Sequence, residues 1–455
     1  MRPVRSASVR LLLGIVAVLA ATSPADARKR PRRSHTPPTM VWCVETLDGK
    51  VVEAQQADEP VNPASVVKVA TTLWAIERLG PETRFETRFF ARGKVDAARH
   101  ALEGDLVVQG GGDPDFHVEN AFLVARALNE LNIERITGAV IVNQKFWMGW
   151  ENGSEGREPD PVKRGLLMAS RLRQALDPKR WDRATRMNWR EVAYRRGLDL
   201  KHPPQVVVGR GVGADGDTST GELLVIHRSQ TLADILRRFN CYSNNDIERI
   251  AADIGPVDEL AAEVASRCEV GRETVHLETA SGLGTNRLTP RIVVRLLREL
   301  RRTAEGLKVP IESLLPVAGC DPGTVSRFFP TLANGPNTTA LVGKTGTLTT
   351  TDGGVAVLAG FANTTNGELA FCIAVPHAAG KLKFARHAQE QWVLGLLARN
   401  GGAQPHHCAP LLSSPDADAA VIVLGDRVLP PTQPAASAVV PPEDGAPAAG
   451  KLTPR

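Results

Sequence analysis

The stretch NPASVVKVATTLWAIERLG, residues 62–80, constrains this chain more than any other. It reads as an apolar helix behind an Asn-Pro-Ala turn, with a serine and a lysine three positions apart at its start. As a plain helix start, Asn62 is the N-cap, Pro63 the first helical residue, and Lys68 snorkels to water. As a site, Ser65 is a nucleophile one turn from its base, because residues three apart share a helix face. The first reading needs only a solvated helix end. The second needs a cleft built from distant segments.

Two later stretches favour the cleft. YSNND supplies Ser243, Asn244 and Asn245, and LVGKTGTLTT supplies Lys344, Thr345, Gly346 and Thr347. With 17 Ser and 13 Lys among 455 residues, Ser-x-x-Lys alone arises by chance roughly half a time, whereas all three elements in this order fall well below about one per cent. A serine hydroxyl attacks poorly until a base takes its proton. Lys68 serves as that base only when neutral, and burial and a second cation, Lys344, both push its pKa down. The helix N-terminus favours negative charge developing at Ser65. Phosphate-loop readings fail: no Gly-Lys-Ser/Thr follows GDLVVQGGGDP, and the glycine that VGKTGT would need stands as Thr338.

The stretches NPASVVKVATT, GDLVVQGGGDP, ETASGLGTNRLTPR, LPVAGCDPGTVSRFF, GKTGTL and GGVAVLAGF span most of residues 40–375. Together they resemble the penicillin-binding protein and serine β-lactamase superfamily. The likeness is closer to its low-molecular-mass class C branch, the penicillin-binding protein 4-type D-alanyl-D-alanine carboxypeptidases and endopeptidases. The 178 residues from Ser65 to Ser243 suit a branch with a long insertion between the first two motifs. Asn244 stands where many relatives carry Asp, between the two residues that do the chemistry.

The resemblance implies a role for each residue. Ser65 is the nucleophile, Lys68 its base, and Ser243 relays a proton between a lysine and the leaving amine. Asn245 hydrogen-bonds the substrate's peptide amide. Lys344 attracts the terminal carboxylate of a D-Ala-D-Ala stem, Thr345 and Thr347 donate hydroxyl bonds to it, and Gly346 lets substrate lie flat on the strand. The backbone N–H groups of Ser65 and Thr347 form the oxyanion hole. Ser281-Gly282-Leu283 is a structural turn beside the site. The implied partners are peptidoglycan peptides, with β-lactams as inhibitors; neither a metal nor an organic cofactor is implied, and no nucleic acid. A serine β-lactamase is a second reading, ranked lower because no Glu-x-x-Leu-Asn element follows the second motif. A non-catalytic wall-binding protein is a third, opposed by the presence of every motif residue.

The implied fold is an α/β (α+β) transpeptidase-like domain, an antiparallel sheet covered by helices. It is assembled from residues 40–95 and 223–400, with an accessory domain inserted at 96–222. Strands around Leu47-Asp48-Gly49 read as a hairpin. TLADILRRFNCYSNNDIERIAADIG reads as helix, interrupted around Cys241–Asn245. Trp147 and Trp150 read as core or domain contacts.

At the N-terminus, three arginines, a short apolar run and Ala25-Asp26-Ala27 match a secretory signal peptide cut after Ala27. Export to a periplasm or cell-wall space follows, with no stable membrane insertion. Without residues 1–27 the net charge falls from +5 to +3, and five of the remaining bases sit in RKRPRR, within a basic linker at 28–39. That arm could brush anionic lipid or wall polymer. Residues 411–455 turn to Pro, Ala, Ser and Asp and read as a disordered tail. Six cysteines, at 43, 241, 268, 320, 372 and 408, lack zinc spacing and leave their disulfide pairing open.

Overall fold

The computed structural model describes residues 39–215, 221–409, 411, 414–416, 419–423 and 427–429. The expected signal peptide, the linker up to residue 38 and the chain beyond 429 lie outside the described residues.

In chain order the elements begin with β1 (Val41–Thr46), β2 (Val51–Gln55), α1 (Lys68–Leu79), β3 (Glu86–Asp96), β4 (Ala101–Gly110) and α2 (Val118–Glu130). β5 (Arg135–Ile136), β6 (Ala139–Val142), α3 (Pro161–Leu176), α4 (Arg183–Arg195), β7 (Val207–Val208), β8 (Gly211–Ala214) and β9 (Glu222–Arg228) follow. Next come α5 (Leu232–Tyr242), α6 (Ile247–Ile254), α7 (Val257–Arg267), α8 (Pro290–Gly306), α9 (Thr324–Phe328) and α10 (Pro330–Ala333). The last are β10 (Leu341–Leu348), β11 (Val355–Thr364), β12 (Gly367–Pro376), α11 (Leu382–Arg399), β13 (Ala420–Val423) and β14 (Arg427–Leu429).

Five strands in the order β10-β11-β12-β1-β2 form an antiparallel sheet with helices on both faces. The sequence of β11 shows why. Val355, Val357, Ala359 and Phe361 point into a core shared with α1 and α5 to α8. Leu358 and Ala362 point into the opposite core, with Val393, Leu396 and Leu397 of α11. A strand buried on both faces is apolar at every position rather than alternating.

α1 lies inside the first of these cores. Every residue from Lys68 to Ile76 is buried, as expected of a helix apolar all round. Lys68 therefore has no water to snorkel into: it is 0% exposed. The start of the helix also differs from expectation. Ala64–Val67 is a 3-10 turn, Pro63 precedes it rather than opening it, and Ala64 sits at φ +48°. Asn62 still caps locally, its Oδ1 accepting from the Ala64 N–H at 3.0 Å. Its Nδ2 donates to the Gly284 carbonyl at 2.9 Å and to Asp352 Oδ2 at 2.7 Å. Three ties from one side chain hold a non-glycine residue in a left-handed conformation that costs about 1–2 kcal/mol.

A second, nine-stranded mixed sheet runs β14-β13-β9-β3-β4-β5-β7, with β6 between β4 and β8. It starts at Glu86 and takes in β9 to Arg228, so it is wider than the 96–222 insertion expected from sequence. β3 pairs with β4 from Thr87 to Asp96 and with β9 from Glu86 to Ala91, which fixes it in this sheet. The expected disordered tail also needs correction. The AVIV run of β13 pairs antiparallel with β9, covering an edge that would otherwise present unpaired backbone groups. Just before it, Asp416 is fully buried and takes Arg195 at 2.7 Å and Arg196 at 2.8 Å.

One disulfide, Cys320–Cys408, is formed, and Cys43, Cys241, Cys268 and Cys372 are buried free thiols. The guanidinium groups of Arg164 and Arg249 lie 4.7 and 4.4 Å from the centre of the Trp147 ring, and Trp150 donates to Asp115 at 3.2 Å. Among the described residues no helix is long and apolar enough to cross a membrane.

Candidate active site

The three sequence motifs meet where α1, the break between α5 and α6, and β10 converge. In a 3-10 turn residues i and i+3 eclipse each other, so Lys68 rises directly over Ser65. Its Nζ lies 3.0 Å from Ser65 Oγ, 2.9 Å from Asn245 Oδ1 and 2.7 Å from the Ser281 carbonyl. The amide oxygen of Asn245 and the carbonyl of Ser281 only accept. A neutral amine has two N–H bonds for those acceptors and one lone pair left for the Ser65 hydroxyl proton. The geometry thus suits Lys68 as a base. Burial pushes its pKa well below the ordinary lysine value and the charge of Lys344 pushes the same way, opposed by Glu248 and Asp246.

Ser243 ends α5 in a left-handed conformation, φ +57°, which turns the chain abruptly toward Asn245. Its Oγ accepts from Lys344 Nζ at 2.9 Å. Lys344 is also 0% exposed and donates to the Thr345 carbonyl at 2.8 Å. Burial lowers its pKa to about 7. So Lys344 points at Ser243, one of the two lysines from which the sequence reading lets that serine take a proton, rather than outward as a free positive charge.

Two other β10 residues also differ from the sequence expectation. The Thr345 hydroxyl donates to Thr324 Oγ1 at 2.7 Å, and Thr324 donates on to the Cys241 carbonyl at 3.3 Å, so the buried Thr345 proton is already placed. Gly346 faces the Ser65 turn rather than open cleft: a Cβ there would lie 2.4 Å from the Pro63 carbonyl oxygen. Thr347 is half-buried, and its Oγ1 accepts from Arg386 Nη2 at 3.0 Å.

Several neighbours complete the site, among them the turn that the resemblance placed beside it. The turn at Ser281-Gly282 is pinned to α1 by Thr71, which donates to the Ala280 carbonyl at 2.6 Å. Gly282 has φ +85°, and a Cβ there would meet the Ala64 carbonyl at 1.9 Å, so only glycine lets the turn approach Ser65. The Ser281 hydroxyl donates to Glu248. From the second sheet's side, Asn152 Oδ1 accepts from Asn245 Nδ2 at 3.0 Å. Its loop is clamped by Asp246, which accepts the N–H groups of Glu151 and Gly153, each at 2.8 Å. Asn152, Thr324, Glu248 and Arg386 are isolated polar residues in sequence, and only folding brings them here.

The family described as D-Ala-D-Ala carboxypeptidase 3 (S13) matches residues 37–165 and 204–394, well over half the chain. The chain belongs to that family. It is therefore a serine-type DD-peptidase of the penicillin-binding protein class, a hydrolase that acts on peptidoglycan. A carboxypeptidase of Mycobacterium tuberculosis is 23% identical over 351 residues, covering 69% of this chain and 71% of that protein. A predatory endopeptidase from Bdellovibrio bacteriovorus, solved with an immunity protein, has the same fold with a TM-score of 0.71 at 22% identity. That match covers 83% of this chain and 98% of the other. Penicillin-binding protein 4 from Haemophilus influenzae matches at a TM-score of 0.53 and 18% identity, over 78% of this chain and 96% of its own.

Proposed function

We propose that Ser65 forms the acyl-enzyme of a D-alanyl-D-alanine carboxypeptidase with capacity for endopeptidase action, in the periplasm or cell-wall space. The observation that carries this reading is the buried Lys68 amine held between Ser65 Oγ and two groups that can only accept. Lys68 takes the Ser65 proton as Oγ attacks the penultimate D-Ala carbonyl, and the oxyanion is received by the backbone N–H groups of Ser65 and Thr347. Asn245 orients the peptide. The leaving amine needs a proton, and the Lys344–Ser243 hydrogen bond is a short route for one: Ser243 gives its hydroxyl proton to the amine and regains one from Lys344. Water then frees the acylated stem from Ser65, its OH going to the acyl carbon and its H restoring the hydroxyl; the proton gained by Lys68 equals the one given up through Lys344, and exchange with solvent returns both amines to their starting states. A β-lactam presents a strained amide and a carboxylate in similar array, and acylates Ser65 without a departing amine.

The test is incubation with a fluorescent penicillin, followed by mass analysis of the adduct over time, in parallel with release of D-Ala from a stem pentapeptide. A lasting adduct on the Ser65 peptide, absent in Ser65→Ala, together with D-Ala release, is the expected result. An adduct lost within seconds would support a β-lactamase instead. No adduct and no D-Ala would leave a non-catalytic wall-binding protein.

A further inference from the structure

We propose that the outer face of α4 docks on the surface of an anionic lipid bilayer and holds the enzyme there. Between Lys179 and Lys201 the chain carries eight Lys or Arg and three Asp or Glu, a net +5 that equals the formal charge of all 455 residues. α4 lies in the stretch 166–203, between the two segments that match the family, so acyl-transfer chemistry does not account for its surface.

The helix has two faces with different work. Inward, Trp189, Val192 and Ala193 pack with Trp181 and with Phe122 of α2, and that contact fixes α4 to the protein. Outward, Arg183, Met187, Arg190 and Tyr194 follow one another at three- and four-residue spacing, all exposed, with the exposed Arg186 beside them. Other bases of the stretch have carboxylate partners: Arg180 takes Asp177 at 3.3 Å, and Arg195 and Arg196 take Asp416. Arg183, Arg186 and Arg190 pair with no carboxylate among the described residues. Between them Met187 is 59% exposed and Tyr194 47%. Single exposed apolar residues are ordinary, but half of the large ones that the described residues leave exposed lie between Val162 and Leu200.

The cations call for an anionic partner, and the apolar side chains narrow the choice. A soluble polyanion, such as a phosphate-linked wall polymer, is served by the arginines alone and gives Met187 and Tyr194 nothing. A second copy of the same face is repelled by its like charge. A bilayer surface satisfies both sets of side chains. Lipid phosphates meet the guanidinium groups, while Met187 and the Tyr194 ring reach the boundary of the acyl chains, with the phenol hydroxyl left at headgroup level. The arginine stems lie along the same boundary with their charged ends in water. At 13 residues α4 is too short to span a bilayer, and its inner face is committed to the core, so it rests along the surface.

The test is co-sedimentation of the chain lacking residues 1–27 with phosphatidylcholine vesicles, with and without phosphatidylglycerol, at low salt. Binding is expected to the anionic vesicles only. Each base near such a surface is worth about fivefold, so Arg183→Gln, Arg186→Gln and Arg190→Gln together should weaken binding about 100-fold. Lysine at the same three positions keeps the charge and should keep the binding. Met187→Ser with Tyr194→Ser should weaken vesicle binding about tenfold and leave binding to inorganic polyphosphate unchanged. These residues lie outside the core, so every variant should retain the wild-type urea midpoint. A glutamine variant that binds like wild type, as it would if the basic arm before residue 39 did the binding, overturns the assignment. So do equal binding to neutral vesicles, no binding to anionic ones, and loss of binding in the lysine variant. If the serine pair leaves vesicle binding intact, α4 is a polyanion surface and the bilayer is the wrong partner.

Discussion

Gly346→Ala isolates what holds β10 against the Ser65 turn. The new Cβ would start 2.4 Å from the Pro63 carbonyl oxygen and 3.2 Å from Ala64 Cβ. An ordinary carbon–oxygen contact is about 3.3 Å, so strand and turn must part by roughly 0.9 Å. Neither side yields freely. Pro63 and Ala64 are tied through Asn62 to Gly284 and Asp352, and Gly346 pairs with Val357 of the fully buried β11. Overpacking of this kind costs about 1–3 kcal/mol of stability, and a shift near 1 Å between reacting groups costs about 100-fold in rate. The measurements are a urea unfolding midpoint and the second-order rate of Ser65 acylation by a fluorescent penicillin. Both should fall, the midpoint without any ligand present. If Gly346 existed only to let substrate lie flat, the free protein would keep its stability. Unchanged stability with a slower acylation rate would therefore refute the packing argument, and acylation within about threefold of wild type would refute the positional one.

Two further outcomes follow from the same structure. Lys344 holds its proton to about pH 7 when folded and to about 10.5 when unfolded, so between those values the unfolded chain binds the extra proton and stability rises with pH. Urea midpoints from pH 7 to 9.5 should show wild type gaining on Lys344→Met by up to about 1.4 kcal/mol per pH unit, and parallel curves would remove the burial argument. The Cys320–Cys408 bridge closes a separation of 88 residues, so Cys320→Ser with Cys408→Ser should lose about 2–4 kcal/mol, read by denaturation of both proteins without reductant; an unchanged midpoint would mean that the bridge constrains nothing.

The sequence carried the outline of the site because covalent spacing sets it. Ser65 and Lys68 meet through one turn of chain, and that contact needs no distant partner. The hairpin of β1 and β2 and the break between α5 and α6 were likewise visible, since each is a local pattern of periodicity or turn chemistry. Less was visible where a short polar residue acts through a partner far along the chain. Arg386, Thr324, Asn152 and Glu248 look like ordinary surface residues until the sheets close around them.

Periodicity also says that a strand exists without saying which sheet it joins. Most of β3 and β9 fall in segments expected in the catalytic domain, yet both belong to the second sheet, and the AVIV run near residue 420 was hidden in a proline- and alanine-rich tail. The order of the three motifs thus pointed, from sequence alone, to two serines, two lysines and an asparagine in one site. Tertiary structure alone decided where each proton and charge resides. Lys68 and Lys344 lose their water only when α1 and β10 are buried, and the pKa of a lysine follows its surroundings rather than its neighbours in sequence.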